Sequence, residues 1–129
     1  MLVFSKLISK LCMSFREIIF FTKDAIRFYQ VQPLKVQRKI DFVFDLVRNI
    51  DVVLIQYFKY LKGTNGIFEI KVVTHLYSLR FLCFFSNQKL IIVTNTFIKK
   101  SQKTPKKEIQ IAERIKKEYE SNEFSARSI

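Results

Sequence analysis

Gly63-Thr-Asn-Gly-Ile-Phe-Glu-Ile-Lys-Val72 joins a turn to a strand, and the rest of the architecture follows from it. Two glycines framing Thr-Asn mark a tight reversal. Ile67–Val72 then alternates, so Glu69 and Lys71 share one face while Phe68, Ile70 and Val72 share the other. Leu79 to Phe85 is a second β-rich run. Ser86-Asn-Gln88 turns the chain, and Leu90 to Ile98 returns as a third strand. The block reads as an antiparallel three-strand meander.

Before it, Arg16 to Phe21 is a short apolar run that suits a first strand, and Asp24 to Tyr29 opens a helix. Pro33 fits a first helical turn. Val36, Ile40, Val43, Val47 and Ile50 follow at helical spacing, with Lys35, Arg38, Lys39, Asp41, Asp45 and Arg48 filling most of the other side. After the meander, Thr104-Pro105 predicts the last helix, Thr as N-cap and Pro at the first position. Ile111, Ala112, Ile115 and Tyr119 form its apolar stripe, and residues 121–129 read as a polar tail. The predicted class is α+β, in the order strand, helices, three-strand meander, C-terminal helix. The length of 129 residues suits one domain, placed at 13–120, with residues 1–12 read as an N-terminal extension or an upstream start before Met13.

Charge narrows the function. The formal net charge is +12, and the segment Val52–Lys107 carries ten Lys and Arg against the single acid Glu69. A field concentrated in one part of the chain forms a patch that suits a polyanion. The two cysteines, Cys12 and Cys83, form no disulfide framework or metal-ligand spacing, and with His75 as the one histidine no metal or cofactor is implied. The apolar start, Met1 to Phe21, is broken by Lys6, Lys10, Arg16 and Glu17, too short for a membrane span. Basic residues grouped near the sheet, rather than on a terminal amphipathic helix, argue against membrane attachment and for a cytoplasmic protein.

Lys99-Lys-Ser-Gln-Lys-Thr-Pro-Lys-Lys107 holds five lysines in nine residues. Such a run is either a solvated surface or a set of phosphate contacts. Lys106 and Lys107 fall in the first turn of the predicted helix, where the macrodipole disfavours cations but favours a bound anion. Arg80 heads the apolar strand Phe81-Leu-Cys-Phe-Phe85. It either ends the strand at the surface or offers its planar fork to a phosphate. Phe81, Phe84 and Phe85 are expected in the core, and His75 at the surface.

Leu61-Lys-Gly-Thr-Asn-Gly-Ile-Phe-Glu-Ile-Lys-Val72, Arg80-Phe-Leu-Cys-Phe-Phe85 and Asn95-Thr-Phe-Ile-Lys-Lys-Ser-Gln-Lys-Thr-Pro-Lys-Lys-Glu-Ile109 together resemble the HigB-type, phage-derived branch of the RelE/ParE toxin superfamily. The resemblance implies a RelE-like small curved antiparallel sheet backed by helices. It implies the toxin of a type II toxin–antitoxin pair, an endoribonuclease that cleaves mRNA on the ribosome. Its partners would be mRNA, a helix-turn-helix HigA-like antitoxin and, through the antitoxin, operator DNA. Arg80 matches the family's basic strand residue. Lys99, Lys100 and Lys103 match its basic run, Glu69 its usual acid, and Lys71 stands where arginine is common. Thr96, Ile98, Val53-Leu54 and Val73–Ser78 depart from the pattern, which leaves a catalytically weakened relative that binds antitoxin or RNA as the alternative.

These residues permit metal-independent cleavage by attack of a 2′-hydroxyl on the adjacent phosphate. The protein must align the attack, stabilise the phosphorane and protonate the leaving 5′-oxygen. Arg80 would hold non-bridging oxygens, and Lys99, Lys100 or Lys103 would stabilise the leaving group. Lys71, or alternatively Glu69, would act as base. Glu69 has a second reading, as partner to a lysine on a neighbouring strand. Lys62, Lys106 and Lys107 are read as phosphate contacts.

Overall fold

A computed structural model describes residues 15–100 and 102–127. Cys12, Met13 and the expected extension at residues 1–12 lie outside the described residues. Strand β1 (Glu17–Phe20) is followed by helices α1 (Lys23–Gln30) and α2 (Leu34–Asn49), strands β2 (Phe58–Tyr60), β3 (Phe68–Val73), β4 (Ser78–Asn87) and β5 (Leu90–Lys99), and helix α3 (Lys106–Arg127). The five strands form one open sheet in the order β1-β5-β4-β3-β2.

The expected meander is present as β3, β4 and β5, antiparallel throughout. Two features extend it. β2, only three residues long, pairs antiparallel with β3. β1 adds to β5 in parallel, so the sheet is mixed rather than wholly antiparallel. The parallel pairing follows from chain direction: the two helices carry the chain over one face before it returns as the meander.

The turn before β3 closes as the glycines predict. Gly63 and Gly66 adopt φ of +78° and +76°, a region where a side chain is strained. Thr64 locks the reversal, donating from Oγ1 to the Leu61 carbonyl and accepting from the Ile67 N–H.

Alternation along β3 and β4 divides the core in two. Ile70, Val72, Leu79, Phe81 and Cys83 pack with Val36, Ile40, Val43, Phe44 and Val47 of α2. The stripe read from sequence is this face of α2, with Phe44 added. Ile50 is instead the exposed C-cap residue, and Pro33 precedes the helix as its N-cap rather than standing inside it. Phe81 is the hub of this layer, with ring centroids 5.0 Å from Phe44 and 5.7 Å from Phe28. On the opposite face, Leu61, Ile67, Leu82, Phe84 and Ile92 meet Ala112 of α3, flanked by Ile109 and Tyr119. Phe81 and Phe84 are thus core residues and Phe85 is partly buried, as expected.

Helix α3 runs on to Arg127, through most of the segment read as a polar tail. Its start also differs. Pro105 accepts the first backbone bonds, from the Glu108 and Ile109 N–H groups. The Thr104 hydroxyl, read from sequence as a cap, donates its proton to Glu69.

Candidate functional site

The face of the sheet that carries α3 is covered by that helix only in part. Where β3, β4 and β5 reach beyond its N-terminal end, three rows of side chains remain. Cross-strand register defines the first two: Lys59 opposite Glu69, and Lys71 opposite Arg80, which in turn lies opposite Phe97. One step further on, Ser78 faces Lys99.

Lys99 reaches this face because of an irregularity in β5. Cys83 pairs with Val93 while Phe81 pairs with Thr96, so Thr94 and Asn95 together oppose Leu82. One extra residue in a strand reverses the direction of every side chain beyond it. Before the shift, Ile92 lies on the α3 face; after it, Phe97 does. Lys99 follows Phe97 onto the face of Arg80. The shift is anchored by Thr94, fully buried, whose hydroxyl donates to the Leu82 carbonyl at 3.0 Å. Asn95 then donates to both the backbone carbonyl and the carboxylate of Glu108, which ties the shift to the first turn of α3.

At the centre is an ion pair with almost no access to water. Arg80 Nε lies 3.2 Å from Glu69 Oε1, with side-chain exposures of 8% and 1%. The pair is close but not well aimed, because the buried Nε–H finds no hydrogen-bond acceptor. Nη1 is better served, donating to Ser78 Oγ at 2.5 Å and to the Leu79 carbonyl at 3.0 Å. The other carboxylate oxygen of Glu69 accepts from the Thr104 hydroxyl. A charge this deeply buried is tolerated only when paired and hydrogen-bonded. Burial lowers the Arg80 pKa from its ordinary value, and Glu69 partly restores it.

Lys99 registers the same neighbourhood. Partial burial pushes its pKa below the ordinary lysine value; Glu69 pulls it back up, while Arg80, Lys71 and Lys59 lower it further. Four cations and one carboxylate are therefore within electrostatic reach of one another.

The sequence-predicted residues divide accordingly. Lys71, Arg80, Lys99 and Glu69 come together. Lys100 is exposed just beyond β5, Lys103 is exposed in the segment leading to α3, and Lys106 and Lys107 are exposed in its first turn. Lys62 does not join them. It lies in the turn at the other end of β3 from Lys71, a turn fastened to the middle of α3 by Glu113 accepting from the Asn65 N–H and Lys116 donating to the Asn65 carbonyl. Glu69 partners an arginine and a threonine rather than a neighbouring lysine. Lys59 was missed, because Phe58-Lys-Tyr60 is too short to show alternation by itself. Among the described residues no group of three or more His, Cys, Asp or Glu could hold a metal ion, and no helix is long and apolar enough to cross a membrane.

An open five-stranded mixed sheet with helices on both faces, bearing a cationic cluster at one end, is the architecture of a small RelE-like protein. Residues 27–117 match the family described as "Phage derived protein Gp49-like (DUF891)", and the chain belongs to that family, which is related to the toxins of toxin–antitoxin systems. Among curated proteins, no sequence matches it.

Proposed function

We propose that this chain is a HigB-like toxin, a cytoplasmic endoribonuclease that cuts mRNA on the ribosome and is held in check by a helix-turn-helix antitoxin. The observation that carries this reading is the meeting of Lys71, Arg80 and Lys99 on one face at one end of the sheet. Those three residues lie on three different strands, and a site built on strands holds its geometry better than one built on loops.

In this reading the scissile phosphate sits against Nη2 of Arg80, the arm of the guanidinium left outside the bonds to Ser78 and Leu79. Lys99, whose proton is held less tightly than an ordinary lysine's, protonates the departing 5′-oxygen. Lys71, directly opposite Arg80, takes the proton of the attacking 2′-hydroxyl once it has itself given one up to solvent. Charge gathered in advance around the phosphorane stabilises it without reorganisation. Glu69 is too buried and too fully engaged to accept a proton from RNA, so it positions Arg80 instead. Lys100, Lys103, Lys106 and Lys107 supply the surrounding field that draws in the RNA backbone.

A second reading, a relative that binds RNA or antitoxin without cutting, is favoured by one fact: Glu69 neutralises much of the Arg80 charge. Induced expression separates the two. The nuclease reading expects growth arrest and new mRNA ends, with Lys99→Ala and Arg80→Ala each reducing cleavage at least about a hundredfold. Intact mRNA and normal growth, with the protein folded and abundant, overturn it.

A further inference from the structure

Two adjoining clefts open between α2 and the free edge of β3. One, of about 500 Å³, is lined by Lys35 and Lys39 on one side and by Val73, His75 and Leu76 on the other. The second, of about 380 Å³, is lined by Lys39, Gln56, Tyr57, Lys71 and Val73. They share Lys39 and Val73, and the second includes Lys71 of the cationic cluster. The clefts exist because β2 pairs with β3 no further than Ile70. Beyond the bond from the Lys71 N–H to the Tyr57 carbonyl, no described strand covers that edge.

The far wall is a fixed turn. Thr74 Oγ1 donates to the Tyr77 carbonyl at 2.7 Å and accepts from the Leu76 and Tyr77 N–H groups. The Tyr77 hydroxyl reaches Gln32, beside the start of α2. This turn presents Val73 and Leu76 to solvent at 60% and 72% exposure. Neither cleft is lined by a carboxylate. Cations on one wall and exposed aliphatic groups on the other suit a ligand with an anionic edge and a flat apolar face.

We propose that the joined clefts hold the RNA flanking the scissile phosphate, with the neighbouring backbone phosphate on Lys35 and Lys39 and a base lying against Val73 and Leu76. The inference rests on the nuclease reading, because it is Lys71 that joins the clefts to the cutting site. That continuity is also why the ligand is RNA rather than an acidic protein segment. It extends the substrate path from the α3 face of the sheet, around the edge of β3, to α2.

The test compares a dinucleotide with a pentanucleotide, both 2′-O-methylated against cleavage, binding to the whole protein by fluorescence anisotropy. Wild type should bind the longer RNA about tenfold more tightly. The Lys35→Ala/Lys39→Ala protein should lose most of that gain while binding the dinucleotide unchanged. For the longer RNA its salt slope should fall by about 0.7, as the loss of one neutralised single-stranded phosphate requires. Leu76→Asp should lose the same gain by putting a charged, hydrated group where the flat face of the base lies. Arg38→Ala, which removes an exposed α2 charge outside both clefts, should keep it. If the double variant retains the gain, or Arg38→Ala loses it equally, the subsite is overturned and the nuclease reading stands. If wild type binds neither RNA, the subsite is overturned, while the nuclease reading falls only if induced expression also leaves mRNA intact.

Discussion

Glu69 and Arg80 stand diagonally across the β3–β4 ladder and meet through a 3.2 Å contact between Oε1 and Nε, in a setting that water scarcely enters. Removing one member of such a pair strands the other, so each single substitution should cost more than the pair is worth. Glu69→Gln and Arg80→Met should each lower the unfolding free energy by about 3 kcal/mol. The double variant should recover much of that loss. Urea unfolding of the four proteins gives the coupling directly, and simple additivity would show that the two groups do not depend on each other.

The lowered pKa of Lys99 has two consequences, with a definite sign. A lysine that binds its proton less tightly when folded costs stability while it is charged. That cost is complete below the folded pKa and disappears as pH rises towards the ordinary 10.5. Stability should therefore climb through that window, and Lys99→Met should flatten the climb. If Lys99 is the acid, cleavage should fall on an alkaline limb centred below 10.5. Lys99→Arg should carry the limb to higher pH. An unmoved limb assigns the proton elsewhere.

Arg16 closes the end of α2 in a way that mutation should expose. Its guanidinium donates to the carbonyls of Val47 at 2.9 Å, Ile50 at 2.6 Å and Asp51 at 2.5 Å. The first two are orphan acceptors at the negative end of the helix macrodipole, and Asp51 follows the C-cap directly. Arg16→Ala should cost about 2 kcal/mol, a fall in melting temperature of about 8 °C. Arg16→Lys should restore only part, since an ammonium cannot span three carbonyls as a planar fork does. A melting temperature equal to wild type in the alanine variant would remove this role.

The parts of the fold that were legible in sequence are those with local signals. Val36, Ile40, Val43 and Val47 announce α2 by spacing, Gly63 and Gly66 announce the turn, and the two-residue period of β3 is enough to put Glu69 and Lys71 on one face. What was hidden depends on distant partners. Nothing near Glu17–Phe20 says that it pairs in parallel with Leu90–Val93. Thr104 followed by Pro105 looks like a helix cap, and only the folded chain shows that its hydroxyl donates to Glu69. The candidate site was legible as a set of charges but not as a geometry, because Lys59 joins it through a three-residue strand and Lys62 is drawn away by the tie to α3.

The irregularity at Thr94 and Asn95 has a consequence for how this protein tolerates change in length. Strand β5 works as a parity counter: an odd number of residues added or removed between Thr94 and Lys99 would send the lysine to the α2 side and bring Ile98 or Lys100 round in its place. Chemistry at this end of the molecule is therefore more vulnerable to a one-codon insertion in β5 than to many single substitutions there.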